Sequence, residues 1–326
     1  MTVRILQGDC RDVLKTLPDE SVHCVVTSPP YFGLRDYGAA GQIGLEKEPH
    51  EYVAAIVEVF IELRRILRPD GIAWLNLGDS YAGSGKGGNP PDSEWAGFVG
   101  NSAREAAATV PAGEKRVPAG LKAKDLIGIP WRVAFALQAG GWWLRQDVIW
   151  AKPNPMPESV RDRCTKAHEY IFLLSKSERY YYDAAAIAEP FADERNGNPG
   201  GGGQYAKEAF AYAGPNAQSG LQKGVWNEDG SKVTRNKRSV WTVPTQSFRD
   251  AHFATFPPDL IEPCILAGCP VGGTVLDPFG GAGTTGLVAD RLQRHAILVE
   301  LNTEYADLAK RRITGDAPLF AEVVVP

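Results

Sequence analysis

The stretch Thr274-Val275-Leu276-Asp277-Pro278-Phe279-Gly280-Gly281-Ala282-Gly283-Thr284-Thr285 constrains the fold of this chain more than any other. A short apolar run ends in Asp277, a glycine-rich turn follows, and helix-forming sequence begins at Thr284. Glycines let a backbone turn tightly and approach a ligand closely, and Thr284 or Thr285 can cap the helix start. Strand 274–276, helix 284–292, strand 295–299 and helix 303–312 then alternate, the pattern of a parallel, doubly wound sheet.

The rest of the chain fits the same sheet. Val3–Leu6, Val22–Thr27, Ile72–Leu77, Trp143–Trp150 and His168–Leu174 read as strands. Helices are expected near Arg11–Leu17, over Tyr52–Leu67 with a stop at Arg68-Pro69-Asp70-Gly71, and near Lys124–Gln138. Two stretches break the pattern. Residues 81–120 are rich in Gly, Ala, Pro and Ser and read as a long mobile loop, and residues 184–250 form a second irregular insert.

Of 326 residues, 44% are hydrophobic and 23% charged, as in a soluble globular protein. No apolar run reaches the ~20 residues that span a bilayer. Five scattered cysteines argue against a disulfide framework, and none sits in zinc-site spacing. No metal is expected, and a reducing cytoplasm is the expected location. The net charge of −4 does not favour a nucleic-acid partner, but charge is unevenly placed. Between Lys223 and Arg249 lie six Lys or Arg residues (223, 232, 235, 237, 238, 249) against Glu228 and Asp229.

Gly281-Ala282-Gly283-Thr284-Thr285-Gly286 satisfies G-x-G-x-x-G, with Glu300 where a ribose-binding acid belongs. Alone, this fits a dinucleotide dehydrogenase. A second motif changes the reading. The apolar run Val22–Thr27 ends in the stiff polar-aromatic tip Ser28-Pro29-Pro30-Tyr31, for which a dehydrogenase has no use. The tip and Asp277-Pro278-Phe279-Gly280-Gly281-Ala282-Gly283-Thr284-Thr285, in this order, resemble the signatures of beta-class amino DNA methyltransferases. Phe32-Gly33-Leu34-Arg35-Asp36-Tyr37-Gly38 resembles the extension of Ser-Pro-Pro-Tyr members, many of them encoded by phages and bacteria. Trp150-Ala151-Lys152-Pro153-Asn154-Pro155-Met156-Pro157-Glu158-Ser159 and Thr165-Lys166-Ala167-His168-Glu169 resemble the family's central block. The resemblance covers about 1–80, 121–183 and 251–315.

That resemblance implies a Rossmann-like, S-adenosylmethionine-dependent methyltransferase fold: a mostly parallel, doubly wound sheet with an antiparallel edge strand. It implies one circularly permuted catalytic domain over 1–326, with a catalytic part at 1–183 and a cofactor part at 251–315. The insert 184–250 would recognise the target in double-stranded DNA, with Arg235, Lys237 and Arg238 on its phosphates. In the cofactor part, Asp277, Phe279, Gly280, Gly281, Gly283, Thr284 and Thr285 would hold the methionine end of S-adenosylmethionine. Glu300 and Asn302 would lie at the ribose, and Asp9 beside the adenine, although an acid there can also serve a turn. His252, Phe253, Thr255 and Phe256 resemble a segment closing over the cofactor. A homodimer is compatible with the family.

The tip carries the expected chemistry. An exocyclic amine on a nucleobase is a poor nucleophile because its lone pair is delocalised into the ring. Ser28 Oγ and the Pro29 carbonyl can accept from the amine, Pro30 stiffens the tip, and Tyr31 can stack on the base. The base must leave the duplex stack to reach such a tip. Serine at position 28 is similar to cytosine-N4 enzymes, whereas adenine-N6 members usually carry Asp; the hydroxyl does not forbid adenine. Three rivals carry less. Pro263-Cys264 offers a cysteine to a C5-cytosine methyltransferase, but in the wrong order along the chain. Gly83-Ser84-Gly85-Lys86 is followed by Gly87, where a P-loop needs Ser or Thr. A non-catalytic DNA-binding module would need no cofactor loop.

Overall fold

The computed structural model describes residues 1–34, 38–39, 41–83, 117–190, 234–246, 256–316 and 322–324. The chain divides into two compact units, Met1–Tyr182 with Ser239–Pro326, and Asp183–Arg238. The first unit is built from strands β1 (Thr2–Gln7), β2 (Val22–Thr27), β3 (Leu67–Leu77), β4 (Trp143–Ala151) and β5 (His168–Ser175). The second unit contributes the short antiparallel pair β6 (Glu189–Pro190) and β7 (Thr234–Arg235). The first unit continues with β8 (Val240–Thr242), β9 (Thr274–Asp277), β10 (His295–Glu300) and β11 (Glu322–Val324). Its helices are α1 (Cys10–Val13), α2 (Pro49–Ile66), α3 (Ile129–Ala139), α4 (Pro258–Gly268), α5 (Thr284–Arg291) and α6 (Thr303–Asp316).

Among the described residues, nine strands form one sheet in the order β11-β1-β10-β9-β2-β3-β5-β4-β8. Every neighbouring pair is parallel except the two that involve β5. The mostly parallel, doubly wound sheet is therefore present, with one correction. The strand that runs against the others, β5, is not at the edge, because β4 and β8 continue the sheet beyond it. The sequence also placed residues 240–242 inside the irregular insert. Instead β8 pairs with β4 in register Trp150↔Trp241 and belongs to the main sheet, and the second unit ends at Arg238.

Both faces of the central strands are covered, so they read as continuous apolar runs. On one face Val25, Ala73 and Leu75 share a cluster with Tyr52, Ile56, Phe60 and Leu63 of α2. The opposite face of the same strands meets α4: a Cβ on Gly268 would lie 2.7 Å from Cys24 Sγ and 2.8 Å from Ile72. α4 in turn packs on α5, and α5 on α6. Among the described residues, no helix is long and apolar enough to cross a membrane.

Helix boundaries follow local chemistry. α2 begins three residues before Tyr52, where Glu48 and Glu51 form a reciprocal capping box around Pro49. It ends at Ile66, and the chain goes straight into β3, because Pro69 drives the residue before it into extended geometry. α3 starts at Ile129, not near Lys124. Gly128 takes a left-handed φ of 78°, and the Asp79 carboxylate accepts from the Gly128 and Ile129 amides at 3.0 and 3.1 Å.

Candidate active site

The C-terminal ends of β1, β2, β9 and β10 open onto one pocket of about 400 Å³, the size class of small-ligand sites. It is where the two sequence motifs meet. Ser28, Pro29, Pro30 and Tyr31 form one part of its wall, and Asp277, Phe279, Gly280, Gly281 and Thr284 another. Asp9, Phe256, Glu300 and Asn302 line it as well. Gly283 and Thr285 are not in the wall, and His252, Phe253 and Thr255 lie outside the described residues.

Asp277 joins the two motifs. It is 1% exposed, and its Oδ1 accepts from Thr27 Oγ1 at 2.7 Å and from the Phe279 amide at 3.1 Å. Its Oδ2 accepts from Thr285 Oγ1 at 2.6 Å. One carboxyl thus ties the residue before Ser28 to the glycine turn. Burial pushes its pKa up to about 7 against these three hydrogen bonds. The threonines do not cap α5, as the sequence allowed. Gly283 is the N-cap, with φ 77°, while Thr285 bonds Asp277 and Thr284 accepts from Arg312 at 2.8 Å.

The turn's glycines serve different ends. A Cβ on Gly280 would lie 2.9 Å from Leu298, and one on Gly283 2.8 Å from Ala309. Those two glycines let the turn pack on β10 and α6. The space beside Gly281 is open, with Phe279 O at 3.9 Å. Gly281 is held in place by its amide, which donates to Glu300 Oε2 at 2.7 Å. The other Glu300 oxygen accepts from the Asn302 amide at 2.8 Å, and burial raises the pKa of this acid. Asn302 Oδ1 accepts from the Glu304 amide at the start of α6. Asp9 caps α1 and is gripped by the Arg11 side chain, which lowers its pKa. Asp9 is thus a turn residue that also faces the pocket.

At the other end of the pocket, the Tyr31 hydroxyl donates to Glu169 Oε2 at 2.6 Å and lies 3.1 Å from Asn76 Oδ1. Tyr52 donates to the Pro30 carbonyl at 2.8 Å and fixes the tip from behind. Asn76, Trp150, Lys152 and Glu169 were given no individual role by the sequence, yet all four line the pocket. Lys152 and Glu169 pair, with side chains 17% and 15% exposed. Gly78 leaves room for the Tyr31 ring, since a Cβ there would stand 2.5 Å from Tyr31 Cε2. Gly78→Ala is therefore expected to displace the Tyr31 ring and lower any turnover at this end of the pocket by about tenfold or more. Unchanged turnover would show that the ring position is not critical.

In the second unit, Glu189 pairs with both Arg235 (3.4 Å) and Arg238 (2.9 Å), and Lys237 lies between them in sequence. Cys264 is buried in α4, 1% exposed, and does not line the pocket, which accords with a core thiol. Among the described residues, no cluster of three His, Cys, Asp or Glu side chains could hold a metal ion.

The chain resembles known proteins over nearly its whole length. A family model described as DNA methylase, of the N6/N4 methyltransferase type, matches residues 22–311. Type II methyltransferase M.Cfr9I of Citrobacter freundii is 44% identical over 312 residues, which cover 96% of this chain and 88% of that protein. Type II methyltransferase M.SmaI of Serratia marcescens is 44% identical over 310 residues, covering 95% and 90%. The solved PvuII DNA methyltransferase (cytosine-N4-specific) superposes with a TM-score of 0.61 at 20% identity, over 95% of this chain and 87% of that one. A putative DNA modification methylase of Thermus thermophilus, solved in complex with S-adenosyl-L-methionine, gives a TM-score of 0.57 at 25% identity over 99% of both chains. With its glycine turn and its Ser-Pro-Pro-Tyr tip facing one pocket, this chain belongs to the N6/N4 family of DNA methylases.

Proposed function

We propose that this protein is a site-specific DNA methyltransferase of a restriction-modification system. It acts in the cytoplasm on the N4 amine of a cytosine flipped out of duplex DNA. The observation that carries this reading is the joint Asp277 makes between Thr27 and the glycine turn, which sets Ser28 at a fixed place relative to the cofactor end of the pocket. S-adenosylmethionine fits the other end: open space beside Gly281 admits a ligand backbone, and Glu300 offers a carboxylate to a diol. When bound, that cofactor supplies an electrophilic methyl group on a sulfonium.

The residues of the chain do the rest. The Ser28 hydroxyl and the Pro29 carbonyl accept from the amine protons and draw the nitrogen lone pair out of ring conjugation. Tyr31 and the prolines hold the ring so that the amine faces the methyl carbon. Methylation of the amine would release one of its protons, which the Ser28 hydroxyl and the Pro29 carbonyl, as acceptors, would pass to solvent. The serine at position 28, similar to that of cytosine-N4 enzymes, favours cytosine. Adenine-N6 methylation on the same scaffold is the second reading, since a serine can accept from either amine. Arg235, Lys237 and Arg238 would contact DNA phosphates from the second unit.

The test is mass spectrometry of nucleosides from the DNA of cells making this chain, beside a Ser28→Ala control. N4-methylcytosine is expected with the intact protein and should fall by about tenfold or more with the variant. N6-methyladenine would keep the family and overturn the cytosine assignment. Absence of both methylated bases would contradict the proposed reaction.

A further inference from the structure

Ser28 is the end of a chain of hydrogen bonds that runs along the pocket wall to the Lys152–Glu169 pair. Its Oγ stands 3.5 Å from the Tyr31 hydroxyl oxygen, and Tyr31 donates to Glu169 Oε2 at 2.6 Å. A tyrosine hydroxyl has one proton to give. Burial, with the Glu169 carboxylate beside it, holds the Tyr31 pKa well above its ordinary value, so the proton stays. With that proton committed to Glu169, the Tyr31 oxygen can only accept from Ser28.

The far end of the chain is fixed from two sides. Asn76 Nδ2 donates to Glu169 Oε2 at 3.2 Å and to the Tyr170 carbonyl at 3.1 Å. Lys152 pairs with Glu169 Oε1, its ammonium 4.2 Å from the centroid of the Trp150 ring. An ionised carboxylate accepts and never donates, so the direction of every bond from Glu169 back to Ser28 is set.

We propose that Glu169 is a positioning residue: acting through Tyr31, it directs the Ser28 proton onto the Tyr31 oxygen and leaves Ser28 only lone pairs to offer the target amine. The inference rests on the base-pocket reading above. A serine hydroxyl left to itself presents either a proton or a lone pair to a ligand. Facing an amine, only the lone pair draws the nitrogen out of conjugation. Glu169 thereby gives a neutral serine the one-way acceptor character that a carboxylate at position 28 would have directly.

Single-turnover methyl transfer tests this, with labelled S-adenosylmethionine and DNA from cells lacking the chain. Wild type, Ser28→Ala, Glu169→Gln and Glu169→Asp are compared. In Glu169→Gln, Lys152 attracts the amide oxygen, so the amide N–H faces Tyr31 and reverses the chain. The rate at saturating substrates should fall about tenfold or more, with cofactor Kd within about twofold of wild type. Glu169→Asp keeps the charge at shorter reach and should retain more rate than Glu169→Gln. A packing role gives the opposite order, since glutamine matches glutamate in volume. That order, full rate in Glu169→Gln, or loss of cofactor binding together with rate overturns the inference. Wild-type rate in Ser28→Ala overturns the base-pocket reading itself. A slow Ser28→Ala beside a fast Glu169→Gln overturns the role of Glu169 alone.

Discussion

Gly281→Val is expected to abolish binding of S-adenosylmethionine and leave a folded protein. The three glycines of the turn separate this outcome from general damage. Gly280 and Gly283 sit where a side chain would strike Leu298 and Ala309, so a valine at either should lower the melting temperature first. Gly281 has φ 49°, and its Cβ direction meets open space. A β-branched residue there costs about 1–2 kcal/mol of backbone strain, which a domain of ordinary stability survives. On the proposed placement of the cofactor, the added methyls would occupy space that it needs. Calorimetric titration with S-adenosylmethionine should show a loss of about a hundredfold or more in affinity, equivalent to about 2.7 kcal/mol. Binding near the wild-type value would remove Gly281 from the cofactor wall.

The second large effect concerns pH. The Asp277 carboxyl ionises near 3.8 in an unfolded chain and near 7 in the fold, because burial penalises its charge. Between those values the folded protein holds a proton that the unfolded chain has lost. Stability contributed by this group therefore falls as pH rises from about 4 to about 7, and levels off above. A shift of about three units corresponds to about 4 kcal/mol across that window. Asp277→Asn can still accept from Thr27 and Phe279 and can donate to Thr285, but it does not titrate. Urea midpoints measured at pH 5 and pH 7.5 should thus diverge less in the variant than in wild type. Equal pH dependence in the two would mean that Asp277 is ionised in the folded protein throughout.

What the sequence disclosed depended on how local the cause was. β2, β9 and β10 stand within one residue of their expected ends, because strands covered on both faces carry unbroken apolar runs. The start of α3 was misplaced because its cap comes from Asp79, some fifty positions upstream. β8 and β11 span three residues each and pair at the sheet's edges, too short to show a period. The site divides in the same way. Ser28–Tyr31 and the glycine turn are contiguous motifs, and both reach the pocket. Asn76, Lys152 and Glu169 meet there because β3, β5 and β4 are neighbours, with Trp150 paired to Glu169 across β4 and β5. No spacing along the chain encodes that meeting.

The position of β1 has a consequence for synthesis. Its partners in the sheet are β10 and β11, with Val3 opposite Ala296. A ribosome adding about 5–20 residues per second needs on the order of 15–60 s to make that partner. Throughout that interval Val3, Ile5 and Leu6, all buried in the finished protein, have no strand to pair with. The β1 segment therefore stays unpaired until β10 is made. Ribosome-bound chains stalled before residue 295 should be cut by protease within β1, and chains released after β10 should resist.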